Sequence, residues 1–160
     1  LVKQQNIGDV PAAGEGKRGE HGYLGYLLRQ AANAHRLRVD RALADLKITT
    51  PQFEVLTMLN AYPGRSNADI ARLALLTPQT TNQIVTNLER AGLVRRRPHP
   101  SHGRILQVEL APAAIGLLET CKARVQRIET EMLTGVSAED EVAIRRWLVV
   151  VAALGDHIEQ

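Results

Sequence analysis

The stretch Thr-Pro-Gln-Thr-Thr-Asn-Gln-Ile-Val-Thr-Asn-Leu-Glu-Arg-Ala-Gly (77–92) decides the fold. Thr77 followed by Pro78 is a helix start: the hydroxyl accepts from the first turn, and proline loses nothing by lacking an N–H there. Gly92 is the matching stop. Between them Thr81, Ile84, Val85 and Leu88 share one face at 3.6 residues per turn, which leaves Gln79, Asn82, Gln83 and Thr86 outward with Thr80 and Asn87 on the flanks. All six outward residues are uncharged hydrogen-bonding side chains. Ordinary solvent-facing stripes mix lysine, glutamate and arginine, so this face is suited to a partner that offers donors and acceptors.

Working outward, Ser-Asn-Ala-Asp (66–69) has capping-box spacing and opens a short helix whose buried face is Ile70, Ala71, Leu73 and Ala74. Before it, Thr50 and Pro51 repeat the cap-plus-proline device for a helix that runs to about 62, where Pro63-Gly64 breaks it. A long first helix is expected from about 22 to 46, with Leu24, Leu27, Leu28, Ala31, Val39, Leu43 and Leu46 on one face. After Gly92 the period changes to two: Leu106, Val108 and Leu110 alternate with Ile105, Gln107 and Glu109, and residues 98–103 lie between two extended arms as a hairpin loop. A fifth helix past Pro112 carries Ala114, Leu118, Cys121, Val125, Ile128 and Met132. Beyond Gly135 and the Ser-Ala-Glu-Asp (137–140) box, a sixth carries Ala143, Ile144, Trp147, Leu148, Val151 and Leu154. The expected architecture is mainly α with a small β-hairpin wing. It divides into a flexible tail (1–20), a helical dimerisation region (21–48 and 111–160) and a winged helix-turn-helix lobe (49–110), all within one structural unit. In that motif the second helix enters the major groove of duplex DNA.

Charge supports this reading once it is partitioned. The 160 residues hold 20 Lys and Arg against 17 Asp and Glu, a net of +3. Residues 90–104 contain Arg90, Arg95, Arg96, Arg97 and Arg104 and no acid, so that window is +5 and the remainder is −2. Such clustering neutralises phosphates and makes affinity fall with salt. Arg104, beside Gly103, is the candidate for minor-groove insertion from the wing tip; a phosphate contact or a carboxylate partner is its other reading. One Phe, one Trp and three Tyr are too few for the stacking platforms of RNA or single-strand binders. A single cysteine excludes an internal disulfide or a site of several thiolates and fits a reducing, cytoplasmic setting. The longest apolar run, 147–154, is eight residues, and a membrane span needs about 18. The glycine-spaced first twenty residues do not read as a secretory signal, and Leu1 suggests that the native product starts upstream.

The quoted segments Asn-Ala-Asp-Ile-Ala-Arg-Leu-Ala (67–74) and 77–96 together resemble the DNA-binding core of the MarR family of bacterial transcriptional regulators, and helix order and lengths resemble it from about residue 22 onward. Two places depart from the family pattern. An acidic wing, Asp-Pro-x-Asp-Arg-Arg, is replaced by His-Pro-Ser-His-Gly-Arg (99–104), with His102 where an aspartate usually steadies the arginine. The Leu-Thr-x-x-Gly start of the fifth helix is Leu-Ala-Pro-Ala-Ala (110–114), which caps that helix less well. The resemblance implies a homodimeric repressor, joined through the first, fifth and sixth helices, on a pseudo-palindromic double-stranded operator. Ser66 and Thr77 at the helix starts, and His99 and His102 over phosphate, join the outward residues and the arginines as expected DNA contacts. It also implies release by a small aromatic or phenolic effector held between the first, second and fifth helices, with Tyr23, Tyr26, His35 and Arg38 as polar candidates. No cofactor is expected.

Four other readings stand against this one. A metal-responsive regulator would need a site among His21, His35, His99, His102 and His157, which have no neighbouring cysteine or carboxylate cluster. An oxidant-responsive one would need Cys121, which falls in an apolar helix face and reads as a buried, inert thiol. A hydrolase has no support: Ser66, Ser101 and Ser137 lie at caps or in the hairpin, and neither a nucleophile elbow nor a glycine-rich phosphate loop is present. A plain protein-interaction module would lack the salt dependence of a DNA binder.

Overall fold

Helix-forming stripes and their caps set the chain path in a computed structural model that describes residues 10–100, 103 and 105–156. Helix α1 spans Leu24–Leu43 and tightens into a 3-10 turn, Ala44–Leu46, which Lys47 closes in the left-handed conformation (φ 56°). The single helix expected over 22–46 therefore changes pitch at its end. Helix α2 is Thr50–Ala61, and its cap is Thr49, one residue earlier than expected: Thr49 and Gln52 form a reciprocal capping box. Thr50 has another task. Its N–H and hydroxyl both donate to Asp40 Oδ1 (2.9 and 2.7 Å), which buries the threonine and ties the start of α2 to α1.

Strand β1, Arg65–Ser66, leads into α3, Asn67–Leu73, and the Ser66–Asp69 capping box forms as the spacing predicts. Helix α4, Pro78–Arg90, begins at Thr77, whose hydroxyl accepts from Thr80 N, and ends in a Schellman motif: Gly92 (φ 72°) donates to Glu89 O and Leu93 to Leu88 O. The same device turns the chain from α3 to α4, but there the left-handed residue is Leu75 (φ 54°), whose side chain is 93% exposed. A position suited to glycine thus carries a solvent-facing leucine.

Strands β2, Val94–Pro98, and β3, Leu106–Leu110, form the expected hairpin with Arg96 opposite Val108. The sheet has one strand more than expected, because β1 pairs with the free edge of β3 through Arg65 and Ser66, in the order β1-β3-β2. The wing is thereby pinned to the start of α3. Helix α5, Pro112–Met132, starts at Ala111 without a side-chain cap, and α6 is Ala138–Asp156.

One hydrophobic core joins these parts: Val39 and Leu43 of α1, Val55, Leu56 and Leu59 of α2, Ile70 of α3, Val85 and Leu88 of α4, Val108 of β3, and Leu118 and Cys121 of α5. Truncating a fully buried leucine of this set costs about 2–5 kcal/mol. The α5 stripe is buried from Ala114 to Ile128, whereas Met132 is half exposed. Helix α6 contributes nothing to that core, and its Val142, Ile144, Leu148, Val149, Val150 and Leu154 all face solvent. No helix among the described residues is long and apolar enough to cross a membrane.

Residues 10–22 fold back on α1. Arg18 Nε donates to Gln30 Oε1 and Gln30 Nε2 to Arg18 O, each at 3.1 Å. Gly19 is buried so closely that a Cβ would stand 2.4 Å from Gly14 O, which explains a glycine there.

Buried polar groups in the head include several without compensation, Thr57 Oγ1 and Asn67 Oδ1 among them. The Thr81 hydroxyl is buried without a hydrogen-bond partner, so Thr81→Val should raise stability by about 1 kcal/mol, read as a higher Tm; an unchanged or lower Tm would show that the hydroxyl is satisfied in solution. Glu54 on α2 is pushed above the usual carboxylate range, mainly by burial, with nearby Asp40 adding to the shift and His35 opposing it. A group whose folded pKa is raised favours the fold in acid and loses that contribution as pH rises through the folded value. Glu54→Gln should therefore raise Tm at pH 7, with the gain disappearing below about pH 4. A gain independent of pH would point to packing instead.

Candidate functional site

The buried stripe of α4 sets what its other face presents. Thr81, Ile84, Val85 and Leu88 are all buried, while Gln79, Thr80, Asn82, Gln83 and Asn87 are exposed and Thr86 is half-buried. The six uncharged side chains therefore share the outer surface, as the spacing predicts. Five of them are already engaged with neighbours: Gln83 Nε2 donates to Asn87 Oδ1 at 3.1 Å, the Thr77 and Thr80 hydroxyls lie 2.8 Å apart, and Asn82 and Thr86 accept from Arg96. Ser66 is occupied by its cap, donating to Asp69 Oδ2 at 2.7 Å. That bond, first among several, holds the Asp69 carboxyl below the usual range.

The arginine window divides into separate roles. Arg90 and Arg95 are exposed and have no ion-pair partner among the described residues. Arg97 Nε sits 3.3 Å from Glu109 on the neighbouring strand. Arg96, expected as a phosphate contact, is turned back onto α4: Nη1 meets Glu89 Oε2 at 2.5 Å, while Nη2 donates to Thr86 Oγ1 (3.1 Å) and Asn82 Oδ1 (3.3 Å). Asn82 Oδ1 also accepts from Asn67 Nδ2 at 3.0 Å. A planar guanidinium can serve several acceptors at once, and here it clamps the wing to the recognition helix. Local spacing could not have shown this, because Glu89 lies seven residues from Arg96 and Asn67 fifteen from Asn82. The sign pattern offered one hint, since Glu89 and Glu109 lie just outside the all-basic window.

Between α3, α4 and the hairpin lies a groove of about 580 Å³, lined by Asn67, Asn82 and Arg96 together with Ala68, Ile105 and Leu106. His99, half-buried at the end of β2, donates its backbone N–H to Ile105 O at 2.8 Å. The wing residues His102 and Arg104 lie outside the described residues, as do Ser101 and His157.

The four effector candidates do not converge. Tyr23 is 84% exposed at the start of α1, with the Lys17 ammonium over its ring. Tyr26 hydrogen-bonds Gln30, and Arg38 is paired with Glu131 of α5. His35 borders an apolar groove of about 400 Å³ walled by α1, α5 and α6, with Leu28, Ala31, Met132, Ile144 and Leu148 around it. The expected contribution of α2 is replaced there by α6. Cys121 is fully buried, and burial pushes its thiol up, away from the thiolate that an oxidant sensor needs. Among the described residues no three His, Cys, Asp or Glu side chains gather as a metal would need.

Comparison with known proteins agrees with this geometry. Residues 46–105 match the profile of the MarR family. The HTH-type transcriptional repressor Rv2887 of Mycobacterium tuberculosis is 36% identical over 125 residues, 78% of this chain and 90% of the relative. A crystal structure of that MarR family protein in complex with p-aminosalicylic acid superposes with a TM-score of 0.66 at 33% identity, covering 82% of this chain and 99% of the other. The transcriptional repressor CouR, bound to a 23-mer DNA duplex, gives a TM-score of 0.75 at 27% identity, covering 81% and 92%.

The Arg96 clamp has a direct test. Arg96→Ala should lower stability by roughly 1–2 kcal/mol, and Arg96→Lys should recover less than half of it, because one ammonium cannot reach three acceptors in a plane. A double-mutant cycle with Glu89→Ala, followed by thermal unfolding, should return a coupling of about 1 kcal/mol. Additive losses would remove the clamp.

Proposed function

Because the chain belongs to the MarR family, we propose that it is a homodimeric transcriptional repressor that holds a pseudo-palindromic operator and lets go when a small aromatic or phenolic acid binds. The observation that carries this reading is the outer face of α4, uncharged and hydrogen-bonding along its length, fixed at one end by the Thr77 cap and at the other by the Gly92 turn. Such a face suits base edges in a major groove. Residues 49–110 serve as the reading head. Residues 21–48 and 111–160 form the dimer frame, and 1–20 precede it.

Within the head, Gln79, Gln83 and Thr86 are assigned to bases, with Thr80 and Asn87 beside them. Ser66, Thr77, Arg90, Arg95, Arg97, His99, His102 and Arg104 are assigned to phosphate or the minor groove. Two recognition helices must be held about one helical turn apart to meet two half-sites. The exposed apolar residues of α6 outside the groove, Val142, Val149, Val150 and Leu154, support a second copy as the partner that covers them, since a monomer gains nothing from leaving them in water. The effector is assigned to the groove beside His35, whose apolar walls suit an aromatic ring and whose imidazole suits a carboxylate. Rv2887, the relative crystallised with an aromatic acid, supports that ligand class. No catalytic role is assigned, and a cytoplasmic setting goes with duplex DNA as the partner.

Gel retardation of the DNA upstream of its own gene tests the reading. The protein should retard that duplex at low salt, lose it steeply as salt rises, and release it when salicylate-type acids are added. Gln83→Ala should narrow the gap between specific and random duplexes by roughly tenfold, the value of one good base contact. No retardation at low salt would sink the regulator reading. Equal losses on both duplexes would remove Gln83 from the base-reading set.

A further inference from the structure

The groove between α3, α4 and the hairpin is lined by both apolar and polar side chains. Ile105 and Leu106 of the wing are 44% and 49% exposed there, an unusual position for large apolar side chains unless something covers them. Asn82 lines the same groove, and its amide orientation is determined. A guanidinium has only N–H groups to offer, so the Asn82 atom that meets Arg96 must be the oxygen. That oxygen is shared by Arg96 Nη2 and Asn67 Nδ2. The Asn82 Nδ2 group has no partner among the described residues. Asn82 is therefore a donor without a free acceptor.

The Asn82 oxygen accepts two bonds, from Arg96 and Asn67, whereas the Asn87 oxygen accepts one, from Gln83. An amide side chain pairs with adenine through its oxygen and its N–H together, and the oxygen of Asn82 is already used. A phosphodiester, by contrast, offers only acceptors. The position of the groove agrees: when α4 lies in a major groove and the wing reaches the adjacent minor groove, the strand that divides the two grooves must pass between helix and wing. Its sugars are apolar enough for Ile105 and Leu106, and its phosphates need donors such as the Asn82 N–H.

We infer that this groove seats one sugar–phosphate strand of the duplex, with Asn82 donating its amide N–H to a phosphate and not to a base. The inference rests on the DNA-binding reading above and deepens it by moving Asn82 from base recognition to backbone positioning. Arg96 acts through Asn82 as a positioning residue, holding the amide so that the N–H points outward. Because Asn82 is neutral, its contact displaces no counterion and leaves the salt slope unchanged.

The test uses the full chain and duplexes that the wild-type protein selects from a random pool. Asn82→Asp keeps oxygens for Arg96 and Asn67 but turns an oxygen outward in place of the N–H. It should weaken selected and random duplexes by a similar factor, about tenfold or more, without altering the selected sequence. A changed base preference would make Asn82 a base reader and overturn the inference, as would unchanged affinity for both kinds of duplex. A second arm does not depend on how well the aspartate variant folds. Single uncharged methylphosphonates are placed along the selected duplex, and wild type is compared with Asn82→Ala. Wild type should lose affinity at one phosphate per half-site at which Asn82→Ala is indifferent, with the same salt slope for both proteins; identical methylphosphonate profiles would overturn the inference. If the wild-type protein selects no sequence and binds no duplex at low salt, the DNA-binding reading falls as well, whereas the other failures fall on Asn82 alone.

Discussion

The rotation of α4 about its own axis is the constraint on which the site depends. Each residue advances the helix by about 100°, so turning it by a single position would bury amides and expose Val85 and Leu88. Burial prevents this. Thr81, Val85 and Leu88 are at most 1% exposed, and each large apolar side chain in such a place contributes about 1.5–3 kcal/mol against exposure. The Thr77 cap and the Schellman turn at Gly92 fix where the helix starts and stops, and the Arg96 clamp fixes its relation to the wing. The outer stripe is what remains after these requirements are met.

Much of this was legible because it is local. Caps, proline positions, the glycine stop and the α5 stripe depend on residues within one or two turns of each other, and the structure has them where the spacing puts them. The failures have a common cause, which is pairing across the chain. Thr50 reads as a cap next to Pro51, but Asp40, ten residues back, takes its N–H and hydroxyl and leaves capping to Thr49. Strand β1 is two residues long and shows no alternation; it exists because β3 has a free edge beside it. In the candidate site the buried and outward faces of α4 were readable, whereas the Asn67–Asn82–Arg96 cluster was not.

The charge arithmetic shows the same limit. A count of +5 over 90–104 treats five arginines as equivalent, yet Glu89 and Glu109 bind Arg96 and Arg97 from just beyond its two ends. Among the described residues, the window's uncommitted cationic charge rests on Arg90 at the end of α4 and Arg95 on β2, and Arg96 serves as a joint. Composition locates the basic region correctly and says nothing about which charges are already committed. The apolar run of α6 differs in kind: its pattern promised burial, and within one chain that burial is missing.

The bond from Asp40 to Thr50 bears on how separable the reading head is. Asp40 belongs to α1, yet it receives the first N–H of α2, and the Thr50 hydroxyl points the same way. Val39 and Leu43 of α1 lie in the same core as Val55 and Leu88. A fragment cut at the boundary between frame and head would therefore begin with an orphaned helix terminus and an uncovered core. The head is a module of recognition but not of folding, and grafting its specificity onto a related scaffold would mean transplanting the surface of α4 and leaving the seam with α1 intact.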